Sequence, residues 1–214
     1  MVRRWGNMLY GYDQYPSNSI PASEHSTITA WGRDRELDAY KNLLEQYPTG
    51  LVACVSDSYN IYEACDKIWG SRLRDQIIHR NGTLIIRPDS GDPLKVLPKL
   101  LDILSNKFGF VINAQGFKVL NPQVRLIQGD GIESHNTIEM ILNQLTYYGW
   151  SADNISFGSG GGLLQKINRD TMGFAIKCSA AIVDDVVIDV YKSPIDQPDK
   201  NSKKGFLKLV KSVS

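Results

Sequence analysis

The sequence predicts an α/β protein built on a parallel sheet. Three observations predict it: four apolar, β-rich runs without polar alternation, amphipathic helical stretches between them, and a unit spacing of about 30 to 40 residues.

The four runs are residues 51–58 (Leu-Val-Ala-Cys-Val-Ser-Asp-Ser), 84–90 (Leu-Ile-Ile-Arg-Pro-Asp-Ser), 124–131 (Val-Arg-Leu-Ile-Gln-Gly-Asp-Gly) and 155–162 (Ile-Ser-Phe-Gly-Ser-Gly-Gly-Gly). Each ends in small or acidic residues, and such runs fit strands buried on both faces. Residues 35–47 predict a helix ahead of the first strand. Residues 59–79 predict a second, with Ile61, Ala64, Cys65, Ile68, Leu73 and Ile77 on a rough helical period. Asp92-Pro93 opens a third, with Asp as N-cap and Pro at the first helical position, and a face of Leu94, Leu97, Leu100, Leu101 and Leu104. Residues 138–148 carry Ile138, Ile141, Leu142 and Leu145 on a fourth. Such units close into a (β/α) barrel or open into a doubly wound sheet, and four strands are too few for a complete eight-stranded barrel. After Arg169 the pattern changes. Residues 174–182 and 186–192 flank Asp184-Asp185 and read as an antiparallel β hairpin, followed by a polar, Lys-rich tail over 194–214.

Composition excludes several classes. The chain has 214 residues, 24 Lys plus Arg against 23 Asp plus Glu, and a formal net charge of +1. That balance gives no general footprint for nucleic acid or an acidic membrane surface. With 42% hydrophobic residues the chain is too apolar for disorder, and no run approaches a membrane span. Cys54, Cys65 and Cys178 are an odd, sparse set, which argues against a disulfide framework and a zinc site. Residues 1–15 lack the apolar core and cleavage site of a signal peptide, so a reducing cytoplasm is the expected location.

The unusual residues fall at strand ends. Asp57, Asp89, Asp130 and the glycines of 158–162 all lie at the C-terminal edge of the expected sheet, where α/β folds place ligands. A single strand-end Asp is commonly a helix N-cap; three with a glycine cluster favour function. The turn Gly158-Ser-Gly-Gly-Gly162 exposes backbone N–H groups before Leu163-Leu-Gln-Lys, which suits phosphate. It is neither a P-loop nor a dinucleotide fingerprint. Arg169, Lys177 and Lys192 are nearby cations. Arg87 and Asp89 stand two apart on an extended segment, so they share a side and grip either a polar ligand or each other. His25 lies in a hydroxyl-rich segment between Glu24 and Ser26, open to acid, base or nucleophile roles. His79 and His135 read as surface residues.

Seven segments together resemble the nicotinamide phosphoribosyltransferases of the type II nicotinate/nicotinamide phosphoribosyltransferase family. They are residues 19–32 (Ser-Ile-Pro-Ala-Ser-Glu-His-Ser-Thr-Ile-Thr-Ala-Trp-Gly), 55–59 (Val-Ser-Asp-Ser-Tyr), 85–91 (Ile-Ile-Arg-Pro-Asp-Ser-Gly), 127–131 (Ile-Gln-Gly-Asp-Gly), 157–166 (Phe-Gly-Ser-Gly-Gly-Gly-Leu-Leu-Gln-Lys), 177–179 (Lys-Cys-Ser) and 202–205 (Ser-Lys-Lys-Gly). Their order and approximate spacing match the family, and related nicotinate enzymes resemble them less.

The resemblance implies a reaction of nicotinamide with phosphoribosyl pyrophosphate (PRPP), with Mg²⁺, giving nicotinamide mononucleotide and pyrophosphate in NAD biosynthesis. It implies phosphorylation of His25 by ATP, with Asp57 beside it. It implies that Arg87 contacts the carboxamide, that Asp89, Gly129 and Asp130 hold the ribose side, and that Gly160 and Gly161 offer backbone groups to phosphate. By the same resemblance Arg169, Lys177 and Lys192 bind phosphate and pyrophosphate, and Ser19 lines the base tunnel. Family members are more than twice this length. The chain is therefore expected to be a partial (β/α) barrel over residues 19–170, after an atypical segment 1–18 and before a hairpin and tail over 171–214. It is expected to pair with a second copy or a complementary chain. The alternatives are a catalytically silent fragment that binds nucleotide or PRPP, and a phosphate-binding barrel enzyme of unrelated chemistry.

Overall fold

The structure is a computed structural model that describes residues 19–132, 134–158 and 175–210. In chain order its elements are α1 (His25–Thr29), α2 (Glu36–Gln46), β1 (Thr49–Val55), α3 (Ile61–Glu63), a π-helical stretch (Ala64–Arg72) and α4 (Arg74–Ile78). Then follow β2 (Asn81–Arg87), α5 (Pro93–Phe108), β3 (Phe110–Ile112), β4 (Lys118–Leu120), β5 (Val124–Gln128), α6 (His135–Tyr147), β6 (Ile155–Phe157), β7 (Ala180–Val183) and β8 (Val186–Asp189).

Strands β1, β2, β5 and β6 form one parallel sheet in that order. All four expected runs are strands, and all their C-terminal ends lie on one edge. Strand order follows chain order, as it does between consecutive strands of a barrel. Among the described residues the sheet is open, so what stands is a parallel α/β sheet with a separate antiparallel hairpin. The outer side of β1 is not bare: Ala53 N–H donates to Pro21 O at 2.9 Å and Ser23 N–H donates to Ala53 O at 2.9 Å.

Helix α5 forms as its sequence predicts. The Asp92 carboxylate accepts from the Leu94 N–H at 3.0 Å, and Pro93 opens the first turn. Leu97, Leu100, Leu101 and Leu104 are fully buried against Val52, Cys54, Leu84, Ile86, Val124 and Leu126 in one core. Each such leucine contributes about 1.5–3 kcal/mol relative to exposure.

Three expectations change. The helix expected over 59–79 breaks into α3, the π-helical stretch and α4. In the wide turn Leu73 N–H donates to Ile68 O, five residues back, at 2.9 Å. The apolar spacing survives the break, since Ile61, Ala64, Cys65, Leu73 and Ile77 are all buried. Strand β5 is buried on one face only: Val124, Leu126 and Gln128 are buried, whereas Arg125 and Ile127 are half-buried. A small antiparallel pair, β3 with β4, stands between α5 and β5 where no strand was expected.

The C-terminal hairpin is β7 with β8, paired from Ala180 with Asp189 to Val183 with Val186. Asp184 and Asp185 carry φ of 49° and 63° in the turn, the pair of positive values that a two-residue hairpin turn requires. All three cysteines are free, Cys54 and Cys65 buried and Cys178 exposed. Among the described residues no helix is long and apolar enough to cross a membrane.

Candidate active site

The site is built where β1 and β2 end. Ser56 N–H donates to Arg87 O at 3.0 Å, which locks the two strand ends in register, and the next residue is Asp57. Its side chain is 1% exposed. The chain entering α1 runs beside β1, and the Ser23 hydroxyl accepts from Val55 N–H at 2.9 Å. This brings His25, the first residue of α1, over the strand end. His25 Nε2 lies 2.9 Å from Asp57 Oδ1, and His25 Nδ1 lies 3.8 Å from Asp89 Oδ2. One imidazole thus joins two carboxylates from two neighbouring strands.

The second oxygen of Asp57 accepts from the Ser90 hydroxyl. Burial pushes the Asp57 carboxyl up, but the His25 hydrogen bond and charge, the Ser90 hydrogen bond and the Lys192 charge together hold it below its ordinary 3.8. Asp89 has less support, and burial pushes its carboxyl up despite the nearby Arg87 and His25. The two acids of one cluster are therefore driven in opposite directions. Such a split is common where acid and base roles are divided.

Arg87 ends β2 and donates from Nη2 to Ser23 O at 3.3 Å. Its Nε is buried with no hydrogen-bond partner among the described residues, an unspent donor. No direct ion pair joins Arg87 to Asp89, though the Arg87 charge acts on that carboxyl.

The C-terminal segment supplies cations. Lys192 N–H donates to the Ser202 hydroxyl at 2.8 Å, and Ser193 N–H donates to Ser58 O at 2.9 Å. These bonds staple the segment after β8 onto the strand end. Lys192 is 7% exposed there. A cavity of ≈ 190 Å³ is lined by His25, Lys177, Cys178, Tyr191, Lys192 and Ser202 among others. Glu24 lines the same cavity, and the cavity's imidazole and two lysines outnumber that one carboxylate, which suits a phosphate or diphosphate.

Asp130 follows β5 on the same edge, and Lys200 Nζ pairs with its Oδ2 at 2.9 Å. Gly129 precedes it, and Gly158 closes against that turn with its N–H donating to Gln128 O at 2.8 Å. Gly160, Gly161 and Arg169 lie outside the described residues. Ser19 is exposed, and no contact among the described residues joins it to the cluster. His79 and His135 are exposed and apart from the site. Sequence reasoning missed Ser90 and Lys200 as site residues. Ser90 stands inside the Arg-Pro-Asp-Ser-Gly string, which was its one signal. Lys200 is 70 residues from Asp130 and had none.

With this geometry in place, similarity to known proteins is informative. The nicotinate phosphoribosyltransferase (NAPRTase) family matches over residues 8–213. Nicotinamide phosphoribosyltransferase of Xanthomonas campestris pv. campestris (strain 8004) is 54% identical over 195 residues, covering 90% of this chain and 41% of the relative. The Mycoplasma pneumoniae protein of that name is 38% identical over 199 residues, covering 87% of this chain and 44% of the relative. The Mycoplasma genitalium one is 37% identical over 210 residues, covering 92% and 46%. The chain thus spans less than half the length of these curated relatives.

Proposed function

We propose a function from one premise: this chain belongs to the nicotinate phosphoribosyltransferase family. The proposed reaction is phosphoribosyl transfer from PRPP to nicotinamide, giving nicotinamide mononucleotide and pyrophosphate. The observation that carries it is His25 set between Asp57 and Asp89, at 2.9 Å and 3.8 Å, on the wall of a cation-lined cavity.

The chemistry divides between the two halves of the site. The pyridine nitrogen forms a bond to the ribose anomeric carbon as the bond from that carbon to pyrophosphate breaks, and pyrophosphate leaves with the electron pair. Positive charge builds on the ribose, as in glycosyl transfer generally. Asp89 and Asp130 are proposed to face the ribose, where carboxylates hold hydroxyls and favour that charge. Lys177 and Lys192 are proposed to meet the pyrophosphate, whose negative charge grows on departure. The unspent Nε donor of Arg87 suits the carboxamide oxygen.

Mg²⁺ is proposed to arrive with the diphosphate. Among the described residues no group of three or more His, Cys, Asp or Glu is placed to close around a metal ion. Mg²⁺ commonly takes one or two carboxylates plus substrate phosphates, and Asp89 and Asp130 fit that share. When bound, the ion would neutralise charge on the leaving group. ATP is proposed as a phosphoryl donor to His25. Asp57 holds Nε2 at 2.9 Å, so the ring nitrogen without a close hydrogen bond is Nδ1, 3.8 Å from Asp89.

A (β/α)-barrel setting is proposed from the sequential parallel order of the sheet. A homodimer or a complementary chain is proposed from the exposed apolar side chains of the hairpin, Ile182, Val183, Val186 and Val187. Formation of nicotinamide mononucleotide from nicotinamide and PRPP, with nicotinate as control, tests the reading. Turnover that His25→Ala abolishes supports it. PRPP binding without turnover would favour a silent binding fragment.

A further inference from the structure

Cys178 is the exposed cysteine of the chain, and it lines the cavity that holds His25, Lys177 and Lys192. Its thiol donates to Ala180 O at 3.3 Å, which keeps the sulfur at the start of β7. Lys192, on the same cavity, is 7% exposed. Among the described residues its ammonium has neither a carboxylate partner nor a hydrogen-bond acceptor. A mostly buried lysine that lines the cavity and has no acceptor for its ammonium on the described protein suits an anion there. The field that draws in a diphosphate draws in any small anion.

We propose that Cys178 is a thiol–disulfide modification site that closes the cavity, and that its reagent class is a low-molecular-weight disulfide bearing carboxylates. The inference rests on the reading of this cavity as a phosphate site. The Cys178 thiolate attacks one sulfur of the disulfide, having given its proton to solvent. A new Sγ–S bond forms, the reagent's S–S bond breaks, and the distal sulfur leaves as a thiolate with the electron pair. Cys178 is oxidised and the departing sulfur is reduced. The retained half occupies a cavity of ≈ 190 Å³ and excludes the diphosphate. A thiol reductant reverses the step.

The test uses 5,5′-dithiobis(2-nitrobenzoate), which is anionic, and 2,2′-dithiodipyridine, which is uncharged. Each reagent releases a coloured thiol when it modifies the protein. The expected rate ratio of anionic to neutral reagent is about tenfold above that of a cysteine in a short neutral peptide. Pyrophosphate slows the anionic reagent, Lys192→Met brings the ratio down to the peptide's value, and Lys192→Arg restores it. Cys178→Ser abolishes release from the native chain. A ratio equal to the peptide's, with no protection by pyrophosphate, overturns the proposal. Preference and protection in a chain without turnover uphold it while phosphoribosyl transfer fails. Turnover with Cys178 unprotected overturns this inference alone.

Discussion

The Ser90 hydroxyl donates to Asp57 Oδ2 while His25 Nε2 holds Asp57 Oδ1 at 2.9 Å. Each carboxylate oxygen thus has its own partner, one from the first residue of α1 and one from the loop after β2. The buried acid is fixed in rotation, and the imidazole with it.

Ser90→Ala leaves one oxygen of a buried carboxylate short of a donor, at a cost of about 1–3 kcal/mol. It also removes one of the bonds holding the Asp57 carboxyl below 3.8, so that group's titration moves up. A depressed carboxyl contributes stability above its ordinary value, and the contribution is lost as pH falls through the folded value. In Ser90→Ala the contribution is smaller, and its loss is complete at a higher pH. Carboxyl ¹³C NMR on Asp57 reads the shift, and Ser90→Thr restores it. An unmoved titration would show that the Ser90 contact does not support the ionised form.

Glu36 behaves in the opposite sense. Burial pushes its carboxyl from 4.5 up to about 7, against the Tyr40 hydroxyl that donates to it at 2.8 Å and the Arg33 charge. The folded chain holds a proton that the unfolded chain releases between those two values. Stability from this group is fully present below 4.5 and is lost as pH rises through about 7. Glu36→Gln keeps the shape and removes the titration. Its stability relative to the parent chain climbs with pH, by up to about 3 kcal/mol at alkaline pH. Urea unfolding at several pH values measures this; a constant difference would contradict it.

Gly70 sits in the π-helical stretch against α5. A Cβ there would lie 2.6 Å from the Cys65 carbonyl oxygen and closer still to the Lys107 side chain. Gly70→Ala is expected to destabilise by about 1–3 kcal/mol, as overpacked sites do. A leucine on α5 truncated to alanine gives the scale, about 2–5 kcal/mol. Thermal unfolding by circular dichroism compares them, and an unchanged midpoint for Gly70→Ala would mean that the two helical segments part freely.

Local signals were legible in the sequence, and long-range ones were not. Asp92 with Pro93 announces α5 because N-cap and first turn are adjacent in the chain. Asp184-Asp185 announces its hairpin for the same reason. The strand-end aspartates were legible because a parallel sheet puts equivalent ends on one edge, and His25, Asp57 and Asp89 do meet there. The pair β3 and β4 escaped because its strands have three residues each and β3 is wholly exposed. The π-helical stretch escaped because a five-residue hydrogen-bond step depends on packing around Gly70, not on apolar period. The contact of Lys200 with Asp130 depends on how the C-terminal segment is stapled to Ser58, which no spacing encodes.

One sheet edge, with the segment after β8 stapled to it, is proposed to form a PRPP site around His25 and Lys192. Isothermal titration calorimetry of PRPP and Mg²⁺ into the chain tests it most directly. Saturable binding is expected, weakened by about tenfold or more in Lys192→Met through the loss of a charge-assisted contact and largely kept in Lys192→Arg. Binding of equal strength in the parent chain and Lys192→Met, or none in the parent chain, would contradict it.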